Sequence, residues 1–392
     1  MKKKIIFITQ ALWIGGIETA LVNLLNCIDY NEYDVTVLVC RASLEMKEKI
    51  NSKCKLIIID REQTISFNSA YKYKSLYHLT EEPDNPSSLH NIMMWTVPVI
   101  KWFENRLYIR YIRDFIKEEH FDAAIIYSDV VSEIAIRAIN ADKYLMFYHH
   151  GAMRHVYHDG IAYKKCEKII AVSQNQALEL KKFVPKYADK ITVINNFTDV
   201  EGIISRSLLP CEDTFDSEKY DIVTVGRVSY EKGMDLAVQA CAKLVSNGFK
   251  NIKWWIVGDG PAMPEIKKLV SKLNMNDYVN LVGMKENPYP YIKNADLYVQ
   301  PSRFESFGLT IKEAMILCKP IISTSTFGAK EIIQNRKNGI LCSSEKNDLA
   351  NKIEEFIKSS KLFNDMKFQH NIKDFEIENR KLMEELEKVI GG

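Results

Sequence analysis

Glu305 and Glu313 are separated by seven residues in Glu305-Ser-Phe-Gly-Leu-Thr-Ile-Lys-Glu313, just after the apolar run Leu297–Gln300 and the turn Pro301-Ser-Arg-Phe304. Gly308 opens a helix in this reading, so Glu305 belongs to the loop and Glu313 lies more than one turn inside. The amides of Phe307, Gly308 and Leu309 at such a helix start point toward an anion or sugar hydroxyls, and a carboxylate deeper in the helix can grip a vicinal diol. Two glutamates at this spacing usually mark a solvated face. Here Phe307, Leu309, Ile311, Ala314 and Met315 surround Glu313, so that carboxylate needs a bonded partner.

A second constellation follows another apolar run, in Asp221-Ile-Val-Thr-Val-Gly226-Arg227-Val-Ser-Tyr-Glu231-Lys232-Gly233. Arg227 and Lys232 flank a strand-to-helix turn, where two cations and a helix start together suit a diphosphate and can stabilise a departing anion. An isolated Arg or Lys in a loop is ordinarily surface charge. A third is Gly15-Gly16 between the first apolar run and its helix, where missing side chains let a phosphate or sugar approach the backbone. It is not a full Gly-x-Gly-x-x-Gly, which argues against a dinucleotide site. No Asp-x-Asp occurs, so no carboxylate pair is evident for a metal on a diphosphate, and no Cys-x-x-Cys pair offers a zinc or redox site. No metal and no cofactor are expected.

These residues must be held by ordinary globular cores. The 392 residues suit two domains, with 46% hydrophobic and 27% charged side chains. A net charge of 53 − 51 = +2 excludes the strong positive excess of a nucleic-acid binder. Eight scattered cysteines point to a reducing, cytoplasmic setting. The N-terminal Met1-Lys-Lys-Lys-Ile-Ile-Phe-Ile run is broken by Thr9 and Gln10 and reads as a strand rather than a signal peptide. No apolar run reaches 18 residues, so no membrane-spanning helix is expected.

Short Ile/Val-rich runs alternate twice with helical stretches, the pattern of α/β doubly wound parallel sheets. Strands are predicted at 4–9, 34–40, 55–59, 121–127, 143–148, 168–172 and 191–194, then at 221–225, 253–257, 279–282, 297–300, 320–323 and 339–342, with the clearest helix at 17–28. The stretch 195–218 shows no sustained period and reads as a linker. Residues 374–390, with Phe375, Leu382, Leu386 and Ile390 apolar, suit a terminal amphipathic helix. The domains expected are therefore 1–196, a linker 197–219, a second Rossmann-like domain 220–372, and a terminal helix 373–392. Ligands in such sheets sit at the carboxyl ends of the strands.

Taken together, Gly15-Gly16, His149-His150-Gly151, Val193-Ile-Asn-Asn196, Gly226-Arg227 with Glu231-Lys232-Gly233, Val257-Gly-Asp-Gly-Pro261, Val282-Gly283, Glu305 with Glu313, and Gly328-Ala-Lys-Glu331 make the chain resemble the retaining nucleotide-sugar glycosyltransferases of glycosyltransferase family 4. The resemblance implies the GT-B architecture, two facing Rossmann-like domains with a cleft, and a bacterial cell-surface polysaccharide or glycolipid role. It implies that Arg227 and Lys232 hold the diphosphate, that Glu313 grips the ribose, and that Glu305, Ser306, Phe307, Gly308 and Leu309 hold the donor sugar. His150, or His149 if the match slips by one, corresponds to the cleft histidine near the acceptor, and Val282 and Gly283 with Met284 and Lys285 to the loop around the base. Phe327-Gly328 and Asn196-Phe197 depart from the commoner Gly-Gly and Asn-Gly. The expected activity is metal-independent sugar transfer from a nucleoside diphosphate, UDP favoured, to a sugar or lipid-linked hydroxyl acceptor. The alternatives are a GDP- or ADP-sugar donor, or a catalytically silent GT-B subunit that stabilises a partner transferase.

A last feature concerns location. Arg106, Arg110, Arg113 and Lys117 are spaced by four, three and four, on one helix face bordered by Trp102, Phe103, Tyr108, Ile109, Ile112, Phe115 and Ile116. A basic stripe edged by aromatics suits an anionic membrane surface. The competing reading is a crossover helix with its apolar side in the core and its arginines in water.

Overall fold

The computed structural model describes residues 2–41, 44–59, 106–116, 119–149, 160–359 and 372–391. Each apolar run read from the sequence is a strand there. Seven strands, β1 (Lys3–Thr9), β2 (Tyr33–Val39), β3 (Lys55–Ile58), β4 (His120–Ile126), β5 (Asn140–Tyr148), β6 (Lys168–Ala171) and β7 (Ile191–Val193), lie in the order β3-β2-β1-β4-β5-β6-β7. Six more, β8 (Tyr220–Val225), β9 (Ile252–Val257), β10 (Val279–Gly283), β11 (Leu297–Gln300), β12 (Ile321–Thr324) and β13 (Ile340–Cys342), lie in the order β10-β9-β8-β11-β12-β13. β1 runs parallel to β2 and β4, and β8 runs parallel to β9 and β11.

The helices are α1 (Gly16–Cys27), α2 (106–116), α3 (Ser132–Ala138), α4 (Gly160–Lys165), α5 (Gln174–Phe183), α6 (Val200–Ser207), α7 (Met234–Ser246), α8 (Met263–Lys272), α9 (Tyr289–Asn294), α10 (Leu309–Ile316), α11 (Phe327–Ile332), α12 (Lys346–Lys358) and α13 (Ile372–Gly391). Continuous burial explains why the strands read as unbroken apolar runs: all of Ile5 to Thr9 is inside, as parallel strands covered on both faces require.

The second sheet alternates strictly between two cores. Ile222, Trp254, Ile256, Leu297, Val299 and Ile322 face one, with residues of α7, α8 and α12; Val223, Trp255, Val257, Tyr298 and Ile321 face the other, with residues of α6, α9, α10 and α11. Both indoles are satisfied: Trp254 donates to Thr224 Oγ1 at 3.0 Å and Trp255 to Asp221 Oδ1 at 2.7 Å.

The stretch 195–218, read as irregular, carries α6. Asp199 caps it by accepting from the Gly202 amide at 2.9 Å, and Val200 and Ile203 enter the core. Two turns are too few for a period to stand out in sequence. The terminal helix runs over Ile372–Gly391, and its four apolar residues are buried as read. Described residues within Met1–Trp13, Ile28–Tyr148 and His158–Ile169 form one compact unit, and those within Ile14–Cys27, His149–Tyr157 and Ile170–Gly392 the other. Among the described residues no helix is long and apolar enough to cross a membrane.

Candidate active site

β8 lies between β9 and β11, so the chain order reverses there, and the crevice outside the carboxyl ends of β8 and β11 is the binding position for this kind of sheet. The loop after β8 carries Gly226, Arg227 and Lys232; the loop after β11 carries Glu305 to Leu309. The two are sewn together. The amides of Arg303 and Phe304 donate to the Glu231 carbonyl at 2.7 and 3.2 Å. The Arg303 guanidinium clasps Asp235 through two bonds of 2.7 and 2.6 Å and lies 4.3 Å from the Tyr230 ring centroid. Gly233, at φ +66°, lets the Tyr230–Lys232 turn rest on the end of β11, since a Cβ there would stand 2.1 Å from the Pro301 carbonyl oxygen.

This stitching sets Lys232 Nζ 2.5 Å from Glu305 Oε2, with both side chains mostly covered. Residues assigned separately from sequence thus form one pair. Arg227 is exposed and its guanidinium has no ion-pair or hydrogen-bond partner among the described residues, leaving a free cation at the same strand end. Gly226 and Gly258 touch through their backbones: a Cβ on Gly258 would lie 1.9 Å from the Gly226 oxygen.

Beneath the Glu305 loop is a polar network that sequence reasoning missed. Tyr298 donates to Gln300 Oε1 at 2.5 Å, Thr310 donates to the same oxygen at 3.0 Å, and Gln300 Nε2 donates to Ser302 Oγ at 2.6 Å. Thr324 Oγ1 donates to the carbonyls of Gln300 and Ser302. A satisfied buried network of this kind fixes a loop in one conformation. Its sequence signal was the polar pair Gln300 and Ser302 closing an apolar strand.

α10 starts at Leu309 with Gly308 before it at φ +91°, as the glycine suggested. Glu313 is 5% exposed, and its partner is Tyr289 on α9, whose hydroxyl donates to Oε1 at 3.3 Å. Burial raises the Glu313 carboxyl to about 7, against the lowering effects of the Tyr289 hydrogen bond and Arg206. Neither Tyr289 nor Arg206 was singled out from sequence. The neighbouring Lys312 is buried too, and it reaches Glu378 on α13 at 2.5 Å.

The Phe327-Gly328 departure has a steric reason for its glycine. α11 begins against the Glu305 loop: the Gly328 amide donates to the Glu305 carbonyl at 2.9 Å, and a Cβ on Gly328 would lie 2.3 Å from Phe307 backbone atoms. Ser306 Oγ donates to the His149 carbonyl at 2.6 Å, so His149 is brought to this loop through its backbone. His150 lies outside the described residues. Gly15 and Gly16 stand at the start of α1, and a Cβ on Gly16 would meet nothing among the described residues. Val282 and Lys285, at the sheet edge, line a groove of about 550 Å³ with Trp255, Lys267, Ser271 and Asn280. Arg227, Lys232, Glu305 and Glu313 do not line it. Lys285 is already paired with Glu212. Gly283 is at φ +82° and Met284 is exposed. Among the described residues no cluster of His, Cys, Asp and Glu is arranged to hold a metal ion.

α2 divides its faces differently from the sequence expectation. Tyr108, Ile109, Ile112 and Ile116 are buried, and the Tyr108 hydroxyl donates to the Ile59 and Cys40 carbonyls at 2.7 and 3.1 Å, as in a crossover helix. Phe115, grouped with that apolar side, is instead exposed with Leu107 and Tyr111. Arg106, Arg110 and Arg113 are all exposed, and Arg113 is in addition tied to the Arg137 carbonyl at 2.9 Å near the end of α3. Trp102, Phe103 and Lys117 lie outside the described residues.

Residues 210–372 match the model of the glycosyl transferases group 1 family and residues 14–201 that of glycosyltransferase family 4. The chain belongs to the family 4 glycosyltransferases. An uncharacterised glycosyltransferase of Methanocaldococcus jannaschii is 26% identical to it over 297 residues, 70% of this chain and 67% of the relative. The poly(ribitol-phosphate) alpha-N-acetylglucosaminyltransferase of Staphylococcus aureus is 29% identical over 57% of this chain and 45% of its own length. The N-acetyl-alpha-D-glucosaminyl L-malate synthase of Bacillus anthracis is 29% identical over 52% and 53%. This glycosyltransferase thus spans about half the length of the latter two. Among solved structures, S. aureus TarM, crystallised with fondaparinux, alpha-GlcNAc-glycerol and UDP, superposes with a TM-score of 0.73 at 14% identity, covering 100% of both chains. Anabaena Alr3699/HepE with UDP and glucose gives 0.68 at 17% identity over 98% and 99%. These likenesses, with the two parallel sheets, establish the GT-B fold for this glycosyltransferase.

Proposed function

We propose that this glycosyltransferase moves a sugar from a UDP-sugar to a hydroxyl acceptor with retention at the anomeric carbon and without a metal ion. The observation that carries the reading is the convergence of free Arg227, the Lys232–Glu305 pair and the start of α10 at the ends of β8 and β11. When the bond from the anomeric carbon to the diphosphate breaks, negative charge grows on the departing oxygen. Arg227, Lys232 and the amides of Phe307 to Leu309 are placed to stabilise it. The acceptor oxygen forms the new bond to the anomeric carbon as its proton passes to the departing diphosphate oxygen. Glu313 holds the ribose diol in this reading. UDP in the complexes of TarM and Alr3699/HepE, and the N-acetylglucosaminyl transfer named for two relatives, support the choice of donor.

The test is a panel of UDP-, GDP- and ADP-sugars, followed by nucleotide release and calorimetry. UDP-sugars are expected to turn over, and turnover is expected to persist in EDTA. Glu313→Gln should weaken the binding of UDP as well as of the UDP-sugar by roughly tenfold, since a neutral amide accepts diol hydrogen bonds less well. Equal UDP affinity in wild type and variant would remove Glu313 from the ribose site. No release from any donor would favour a silent subunit.

The acceptor in this proposal is lipid-linked, at the inner face of the cell membrane, in surface polysaccharide or glycolipid synthesis. None of the eight cysteines, all of them among the described residues, forms a disulfide, which supports a reducing compartment. The exposed row Leu107, Tyr111 and Phe115 beside Arg106 and Arg110 supports contact with an anionic surface, each cation adding about 1 kcal/mol. The protein should sediment with anionic but not neutral vesicles at low salt, and Arg106→Glu with Arg110→Glu should release it with nucleotide binding intact. Unchanged sedimentation in that double variant, or none in wild type, would point to a soluble acceptor.

A further inference from the structure

Tyr289 is almost fully buried, yet its hydroxyl is spent on one atom, Oε1 of Glu313. It is backed by Arg206 of α6, whose guanidinium lies 4.8 Å from the Tyr289 ring centroid. Arg206 is itself anchored by Asp199 Oδ2 at 3.2 Å and by the Gly202 carbonyl at 2.9 Å, while Asn287, two residues before Tyr289, donates to the Arg206 carbonyl at 2.9 Å. A carboxylate with two oxygens offers about four acceptor positions, and Tyr289 takes one, leaving the others for a ligand.

We propose that Tyr289, supported by Arg206, is a positioning residue that keeps the Glu313 carboxylate ionised and oriented for the sugar diol of the donor. The inference rests on the ribose role proposed for Glu313. The charged and titratable groups facing Glu313 are Tyr289 on α9, Arg206 on α6 and Tyr298 on β11, with Asp199 behind Arg206. Burial holds both phenols protonated well above their ordinary range, so each remains a neutral donor while Glu313 titrates. Among these groups the transition near neutrality belongs to Glu313, whose carboxyl stands at about 7. The Tyr289 hydrogen bond and the Arg206 charge both favour the ionised form, so removing either raises the pH at which the carboxylate is lost.

The experiment is calorimetric titration of UDP from about pH 5.5 to pH 8.5, a range that brackets this transition. The proteins are wild type, Tyr289→Phe, Arg206→Met and Glu313→Gln, the last reporting the pH dependence due to the nucleotide phosphates alone. In wild type, affinity beyond that background falls as pH drops through about 7. In Tyr289→Phe the same fall should occur roughly half to one pH unit higher, with affinity at the alkaline end within a few-fold of wild type. Arg206→Met, which keeps the apolar stem, should shift it in the same direction. A uniform loss of affinity at every pH would make Tyr289 merely structural and overturn the proposal, as would an unmoved midpoint. Wild type that binds no UDP at any pH would instead remove the underlying ribose reading.

Discussion

Lys232→Ala is expected to lower turnover by about 10²-fold or more, the scale for removing one preorganised electrostatic donor from a transition state. Two effects act together. In the proposed reaction the departing diphosphate loses a cation, and Glu305, 12% exposed and bonded to Lys232 at 2.5 Å, loses its counter-ion. The second effect separates Lys232 from Arg227. The Arg227 guanidinium is exposed with no partner among the described residues, so Arg227→Ala removes charge without leaving a carboxylate stranded. Lys232→Ala should therefore be the more damaging substitution, and Glu305→Gln in the Lys232→Ala background should recover part of the binding loss. Steady-state kinetics with the UDP-sugar found in the donor panel would decide it. Turnover within threefold of wild type would remove Lys232 from the leaving-group site.

Gly328→Ala is the second substitution with a large expected effect, and its cause is steric. The new methyl would sit 2.3 Å from backbone atoms of Phe307, which cannot swing away as a side-chain tip can. Either α11 withdraws, lengthening the Gly328 to Glu305 hydrogen bond of 2.9 Å, or the Glu305–Phe307 loop shifts. Overpacking of this kind costs about 1–3 kcal/mol, visible as a lowered melting temperature. If the Glu305–Phe307 loop holds the donor as proposed, activity should fall further than stability does, by about 10²-fold, because an ångström of misplacement of a reacting group carries that penalty. Gly16→Ala is the control, since its methyl meets nothing among the described residues. Its melting temperature should match wild type, and any activity lost there reports a ligand approaching the backbone. Full activity in Gly328→Ala would show that the loop position is not critical.

The strand pattern and the helix carrying Glu313 were legible in the sequence for one reason. Parallel strands covered on both faces are apolar at nearly every position, and Trp254 to Val257 show it without knowledge of the partner strands. Gly308 marked the start of α10 because a residue at φ +91° is most readily glycine. The need for a partner at Glu313 was also readable, because a carboxylate among Phe307, Ile311, Ala314 and Met315 cannot be left alone.

The identity of that partner was not readable. Tyr289 is 24 residues away and Arg206 lies before the second sheet begins, so they meet Glu313 only once α6, α9 and α10 pack on one face of that sheet. The Lys232–Glu305 pair spans 73 residues and exists because β8 and β11, far apart in order, are neighbours at the reversal of the sheet. Even α2 kept its secret until packing chose a face: a helix with apolar residues almost all round can bury several stripes, and the core took Tyr108, Ile109, Ile112 and Ile116, leaving Leu107, Tyr111 and Phe115 outside. Residue types and local spacing determine which elements form and which groups need partners. The choice among available partners is made by the summed burial of the whole core, a quantity that no local window contains.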